Sequence, residues 1–415
     1  MSNLRRTRLK GWFEYYRETC PICQKRGGCM INEKGDTVVC IREEGEVQFS
    51  KSFPSWVHSL KKDQIRDSIV ELSNQEFIEG NPKENPEILD NVYRTLLDCT
   101  VLSDAHYDHL TSPTRQMSDK EVYTRQYRSF PLKPWKTVNE IRRMLGIDDF
   151  KGIPGFFQNE YGWSISGREG ILIPYRNQYN QIIGFQTRID NPPPDLEIKP
   201  GSIKGLKARI KEYPLVQILV NDVVIEEAEI PLGKTHSVFY EGGYGFVKMV
   251  KGQRYFWLSS ANKKNGTGAG NPLPVHVALP TKELELWEKG KTHKASSVWI
   301  TEGALKADIA AEHIAKVYTE KELKEIGSTI LAIPGVNTWR SVIPLLKTME
   351  TNLINIAFDM DAMENPKVAF HLKQLALELK NSGFTANVVL WNPEDGKGID
   401  DVLINRRSPT LKRLF

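Results

Sequence analysis

The chain has 415 residues, 40% hydrophobic and 26% charged, with a net charge of +4 at pH 7. That is ordinary globular composition, long enough for roughly two to four domains, and it excludes a disordered or low-complexity protein. No apolar run reaches the roughly 18 residues of a membrane span, and Met1–Trp12 lacks the apolar stretch of a signal peptide, so a cytoplasmic protein with no membrane partner is expected.

Residues 1–60 read as a compact ribbon of short strands. Within residues 1–30, Arg5, Arg6, Arg8, Lys10, Arg17, Lys25 and Arg26 stand against only Glu14 and Glu18. Such a surplus suits a polyanion such as nucleic acid; a solvated basic tail is the plainer alternative. Four of the five cysteines fall in this segment, as Cys20, Cys23, Cys29 and Cys40, with the spacing C-x2-C-x5-C-x10-C. Cys20-Pro-Ile-Cys23 forms a knuckle that aims two thiolates at one ion, and a turn at Gly35-Asp36 returns the second pair. Four thiolates close a tetrahedral structural zinc site. A redox pair with two unrelated cysteines, or His58 replacing one ligand, are the alternatives. Trp12, Tyr15 and Tyr16 are either core residues or stacking faces for bases.

Residues 61–90 carry Asn81-Pro82 and Asn85-Pro86 and read as a linker. A subdomain of mixed helix and strand is expected over 91–290. Val92, Leu96 and Leu97, and later Val138, Ile141 and Leu145, have helical spacing. Cys99 is expected in the core, His106 and His109 on helix surfaces, and Trp135, Trp163 and Trp257 inside. Gly170–Pro174 and Ile182–Gln186 flank a polar turn and predict a hairpin. Residues 200–275 read as strand-rich and loop-rich.

From 291 to 415 strands alternate with helices. Strands are predicted at 297–301, 330–333, 355–358 and 386–390, with helices at 305–318, 343–349 and 367–380. That alternation implies an α/β domain with a mainly parallel sheet covered on both faces. Glu302-Gly303, Asp359-Met-Asp361 and Gly398-Ile-Asp400-Asp401 each follow a predicted strand, where α/β sheets gather functional groups. Clustered carboxylates repel one another, and a divalent cation held by hard oxygen donors removes that penalty. Helix caps and solvated turns are the ordinary explanation of any one of these acids; their order and spacing together point to a metal centre.

Thr301-Glu-Gly-Ala-Leu-Lys-Ala-Asp308, Ala357-Phe-Asp-Met-Asp361 and Gly396-Lys-Gly-Ile-Asp-Asp401 resemble the motifs of the TOPRIM domain. Arg168–Pro174, Ile183–Arg188 and Arg254–Ser260 resemble stretches of the DnaG-type primase core. With the ribbon in front, the order is similar to primase-like proteins of mobile elements (plasmids, phages and integrative elements), over about 20–60 and 165–405. The resemblance implies a multidomain α/β architecture: an N-terminal zinc ribbon, an α+β primase-core subdomain and a C-terminal TOPRIM domain. It implies Mg2+- or Mn2+-dependent primer synthesis from nucleoside triphosphates on single-stranded DNA, with a replicative helicase as a further partner. Glu302, Asp359 and Asp361 would bind the metal with Asp400 as helper, and Arg168, Arg188, Arg254, Lys306 and Lys397 would contact nucleotide or template. Lys306 is alternatively an ion-pair partner of Asp308 or Asp359. A TOPRIM nuclease and a non-catalytic nucleic-acid-binding accessory protein are the rival readings. The chain departs from the DnaG pattern at Lys306, where an aspartate is expected, and at Gly398, which replaces another. The interval from Arg188 to Arg254 is longer than in DnaG, and no helicase-binding segment is recognised after 405.

Overall fold

The computed structural model describes residues 4–7, 9, 11–16, 18–45, 47–49, 55–60, 81–270, 272–359 and 366–415. Much of the segment expected to be a linker, 61–80, lies outside the described residues, and a helix, Pro86–Asp98, already begins within 61–90. Asn85 explains that start: its side chain accepts hydrogen bonds from the Glu87 and Ile88 amides, and Pro86 fits the first helical turn.

The N-terminal ribbon is a six-stranded antiparallel sheet, in the order Arg5–Arg6, Trp12–Glu14, Met30–Asn32, Thr37–Cys40, Trp56–Ser59, Val47–Gln48. Its core is Tyr15, Val38 and the four clustered cysteines. So small an apolar core does not hold a domain without a cross-link or metal. Trp12 and Tyr15 are buried, while Tyr16 is exposed under the Arg5 guanidinium, 4.5 Å from the ring centre.

The middle of the chain is built around four antiparallel strands, ordered Tyr255–Trp257, Ile182–Ile189, Gly170–Arg176, Arg128–Ser129. The predicted hairpin is the centre of this sheet. All seven residues of Gly170–Arg176 are buried, because the two faces of the strand enter different cores. Leu172 joins Leu89, Tyr93, Phe150 and Phe185 under the helices Pro86–Asp98 and Pro134–Leu145. Ile171, Ile173 and Tyr175 instead join Trp299, Ala304 and Ala307 of the C-terminal domain. Alternation along one strand thus packs the middle and C-terminal parts against each other. Between Asp195 and Val250 two three-stranded antiparallel sheets enclose a separate core of Leu196, Val216, Ile218, Val238 and Val247.

The C-terminal sheet has six strands, ordered His276–Ala278, Thr329–Ile333, Ser297–Glu302, Leu353–Ile356, Thr385–Leu390, Thr410–Arg413. The three inner pairings are parallel and the two outer ones antiparallel. Helices Ala304–Val317 and Ile399–Ile404 cover one face, and Val342–Thr348 and Pro366–Asn381 the other. Ser297–Glu302 lies between the two strands that follow it in the chain. The order therefore reverses beside it, and the carboxyl ends of Ser297–Glu302 and Leu353–Ile356 lie at the point where open α/β sheets gather functional groups.

Several expectations for individual residues change. His106 is buried: its ring nitrogens meet Ser129 Oγ at 2.6 Å and Asp190 at 2.9 Å. His109 is half-buried. Trp135 is 49% exposed, because its helix turns Val138 and Ile141 inward instead. Trp163 is buried, Trp257 is half-buried against the shared core, and Cys99 is half-buried beside Met144.

Candidate functional site

Glu302 is the last residue of the central C-terminal strand. Gly303 follows with φ +81°, a left-handed conformation that favours glycine, and a side chain there would meet only open space. The chain then enters helix Ala304–Val317, whose first turn carries Lys306. Two residues on, Asp308 points the other way, into the protein. Tyr127 donates to its Oδ2 at 2.5 Å, His276 Nε2 stands 3.1 Å from Oδ1, and Arg125 Nε 3.4 Å from the same oxygen. The Arg176 amide donates to His276 Nδ1 at 3.0 Å, so that ring carries its proton on Nε2 and gives it to Asp308. This buried network fixes the helix against the middle subdomain and closes the option that Lys306 pairs with Asp308.

Lys306 turns instead to Asp359. Its Nζ lies 2.7 Å from Oδ1 and 2.6 Å from Oδ2. Burial pulls the ammonium pKa down, but Asp359, and behind it Asp400 and Glu302, outweigh this and hold it above the ordinary lysine value. Asp400, 1% exposed at the start of helix Ile399–Ile404, approaches from the third side. A Cβ on Gly398 would lie 2.6 Å from Asp400 Oδ1, 3.1 Å from Lys306 Nζ and 3.2 Å from Asp359 Oδ1. The three groups therefore converge on the backbone at Gly398, and a side chain there would collide with Asp400. Asp400 Oδ2 accepts from Arg115 Nη1 at 3.1 Å, while Oδ1 is buried with no hydrogen-bond partner. Burial raises the Asp400 carboxyl to about 6 against the pull of Lys306 and Arg115. Asp401 has a different task, since its Oδ2 caps the helix by accepting from the Lys397 and Gly398 amides.

Among the described residues, the acids do not bring three ligand oxygens within 4.8 Å of one another; they are arranged around an ammonium. Asp361 lies outside the described residues. The donor set nevertheless fits Mg2+ or Mn2+. Mg2+ keeps several waters and takes only one or two carboxylates directly, and the buried Asp400 Oδ1, which makes no hydrogen bond, is a hard oxygen donor.

Basic groups lie on the other side of Asp400. Arg188 sits in strand Ile182–Ile189, paired with Tyr255 next to Arg254. Burial, then Arg188, Arg115 and Arg254, depress His109 to about 4. Sequence reasoning missed Arg115, which lies in a loop outside every motif. Arg168 packs its guanidinium over Phe256 at 4.8 Å, and Lys397 is exposed next to the buried Gly398.

At the other end of the chain Cys20, Cys23, Cys29 and Cys40 all lie within 4.8 Å of one another. Cys29 Sγ is 3.7 Å from both Cys23 Sγ and Cys40 Sγ. Tetrahedral zinc with bonds of about 2.3 Å sets its sulfurs roughly 3.8 Å apart, so the cluster has the size of that ion. The Arg42 and Glu43 amides donate to Cys40 Sγ at 3.4 and 3.3 Å, and Arg42 Nη1 reaches Cys29 Sγ at 3.5 Å. These groups offset thiolate charge. His58 is engaged elsewhere, on the Glu43 carbonyl at 3.0 Å.

Residues 286–409 match a family model described as a domain of unknown function (DUF3854). No curated protein matches the chain. Similar solved structures are DnaG-type primases at low identity. The Aquifex aeolicus primase, comprising zinc-binding and RNA polymerase domains, is 12% identical with a TM-score of 0.41, over 99% of this chain and 81% of that one. The E. coli primase catalytic core is 12% identical with a TM-score of 0.41, over 78% and 80%. The RNA polymerase domain of Mycobacterium tuberculosis primase DnaG in complex with double-stranded DNA is 12% identical with a TM-score of 0.39, over 75% and 76%.

Proposed function

We propose that this chain is a primase-like nucleotidyltransferase that joins nucleoside triphosphates into short primers on single-stranded DNA, in the replication of a mobile genetic element. One observation carries the reading: the carboxylates of Asp359 and Asp400 meet Lys306 beside Gly398, and Asp400 is bound in turn by Arg115. Carboxylates beside guanidiniums suit a substrate that arrives as a metal-bound triphosphate.

Glu302, Asp359 and Asp361 would hold the divalent cation, with Asp400 as helper. Once bound, Mg2+ or Mn2+ supplies neutralisation of the triphosphate and of the departing pyrophosphate. The chain's own residues do the positioning. Arg188, Arg254 and Arg115 clamp phosphate oxygens with planar, bidentate donors. Arg168 and Lys397 flank that path. Gly303, where a side chain would meet open space, lets a phosphate approach the backbone closely. The zinc ribbon, with Tyr16 presented beside Arg5, holds the template strand.

Incubation with labelled nucleotides, single-stranded DNA and Mg2+ tests the proposal. Growing labelled products support it. Loss of template would make the pocket a nuclease, and binding without turnover would leave an accessory protein.

A further inference from the structure

We propose that the outer face of the small sheet formed by Asp195–Lys199, Gly243–Val250 and Thr235–Tyr240 is a nucleic-acid site separate from the carboxylates, which holds single-stranded DNA by stacking bases on Phe239, Tyr244 and Phe246. The choice of DNA rests on the reading of the chain as a primase; the stacking surface does not.

The first support is the alternation along the central strand. Val247 and Met249 enter the core shared with the neighbouring sheet, as Val238 does from the next strand. Tyr244, Phe246 and Lys248 therefore point out. Tyr244 is 54%, Phe246 38% and Phe239 77% exposed. Phe239 lies opposite Tyr244 in the register, and the Tyr244 and Phe246 ring centroids stand 6.2 Å apart. A single exposed aromatic needs no explanation, but three on one face of two adjoining strands form a patch. Between the two rings Gly245 has no room for a side chain: a Cβ would lie 2.6 Å from Leu206 Cδ2 and 2.9 Å from the Pro200 carbonyl oxygen. That seats the strand close on its core. Aromatics two apart on an exposed strand, with glycine between, are how base-stacking sheets present their rings.

The second support is what surrounds the rings. Lys199 and Ser237 flank Phe246 as its partners on the two neighbouring strands, and Lys248 follows two residues on. Of the acids on these strands, Asp195 is taken up by Arg26 of the ribbon at 3.0 Å, and Glu197 stands 3.7 Å from Lys199. A single strand meets such a face with bases on the rings and phosphates on the ammonium groups.

The third support is continuity with the arginines assigned to phosphates. The sheet lies in the stretch between Arg188 and Arg254. That stretch leaves after Ile182–Ile189 and returns at Tyr255–Trp257, where Arg188 pairs with Tyr255 and the Ile189 amide donates to the Arg254 carbonyl at 2.8 Å. The two arginines thus stand at the stem of the insertion, and Arg26 joins the ribbon to its edge strand.

Photo-crosslinking of the zinc-loaded full chain to a short oligothymidylate carrying iododeoxyuridine, mapped by mass spectrometry and paired with fluorescence anisotropy, tests this. Crosslinks are expected at Phe239, Tyr244 or Phe246. Tyr244→Ala with Phe246→Ala should weaken binding of oligothymidylate and oligoadenylate alike, on the order of tenfold or more, with the salt slope unchanged. Tyr244→Phe and Phe246→Tyr should retain it. Crosslinks confined to other residues, or no binding, would overturn the inference whether or not any variant folds, as would full affinity in the folded double variant. Tighter binding of oligouridylate would overturn the assignment to DNA. A wild-type dimer that separates in the double variant, with DNA affinity unchanged, would give the face to a second copy instead. Crosslinks at these rings without primer synthesis would leave the surface standing and remove the primase reading; primer synthesis without them would do the reverse.

Discussion

Lys306 grips Asp359 at two points, with Nζ 2.7 Å from one carboxylate oxygen and 2.6 Å from the other. The pair ties the first turn of helix Ala304–Val317 to the residues after strand Leu353–Ile356, across the reversal in strand order. Lys306 keeps 30% of its side-chain surface exposed, so water softens the loss of its partner. Asp359→Asn should therefore cost only about 1–2 kcal/mol of stability. Denaturant unfolding and zinc content would check that this variant remains folded.

Asp400 makes the stability of the metal-free protein depend on pH. Its carboxyl rises from the ordinary 3.8 to about 6 on folding, chiefly through burial. A raised acid pKa means that the folded state binds the proton more tightly. Its contribution is therefore favourable below about pH 4 and is lost as pH rises through 6. Asp400→Asn should stabilise the metal-free chain at pH 7.5 by up to about 3 kcal/mol, on the order of two pKa units, and by nothing at pH 4. Urea unfolding of both proteins at the two pH values reads this directly.

The ribbon should fold only with its metal. Cys29→Ser removes the sulfur that lies 3.7 Å from two of the others. It should abolish stoichiometric zinc and expose the first 60 residues to protease, while the rest of the chain persists. Arg42→Ala keeps all four thiolates but loses the Nη1 contact to Cys29, and should weaken zinc binding about 10- to 100-fold. Competition with a chromogenic chelator measures both.

Arg115 pairs with Asp400, and Arg188 lies opposite Tyr255, next to Arg254. If they hold phosphates, each alanine substitution should weaken single-stranded DNA binding at every sequence alike. Each should also reduce the salt dependence of log K by about 0.7. Fluorescence anisotropy across a salt series gives the slopes. Unchanged slopes would assign these arginines to packing.

The legible parts of the chain were those where a local pattern dictates geometry. The cysteine spacing gave a cluster of zinc dimensions. Apolar alternation gave the Gly170–Arg176 hairpin, and the strand–helix alternation gave the parallel centre of the C-terminal sheet. Helix-forming spacing around Trp135 could not say which face turned inward, so the tryptophan expected inside lies on the surface. Burial of His106 depends on Asp190, a partner 84 residues away. Arg115 reaches Asp400 across 285 residues from a loop with no periodicity. The choice between Asp308 and Asp359 as partner of Lys306 turned on which side of one helix faces Tyr127 and His276. Such long-range pairings are fixed by packing, and no local window of sequence contains them.

Extension of a labelled nucleotide on single-stranded DNA, compared between wild type and Asp359→Asn, tests the central claim most directly. Product should grow with the wild type when Mg2+ or Mn2+ is added, and the folded variant should be slower on the order of 10³-fold, as loss of several kcal/mol of metal-assisted stabilisation requires. Equal synthesis by the two proteins, or none by the wild type with either metal, would contradict it.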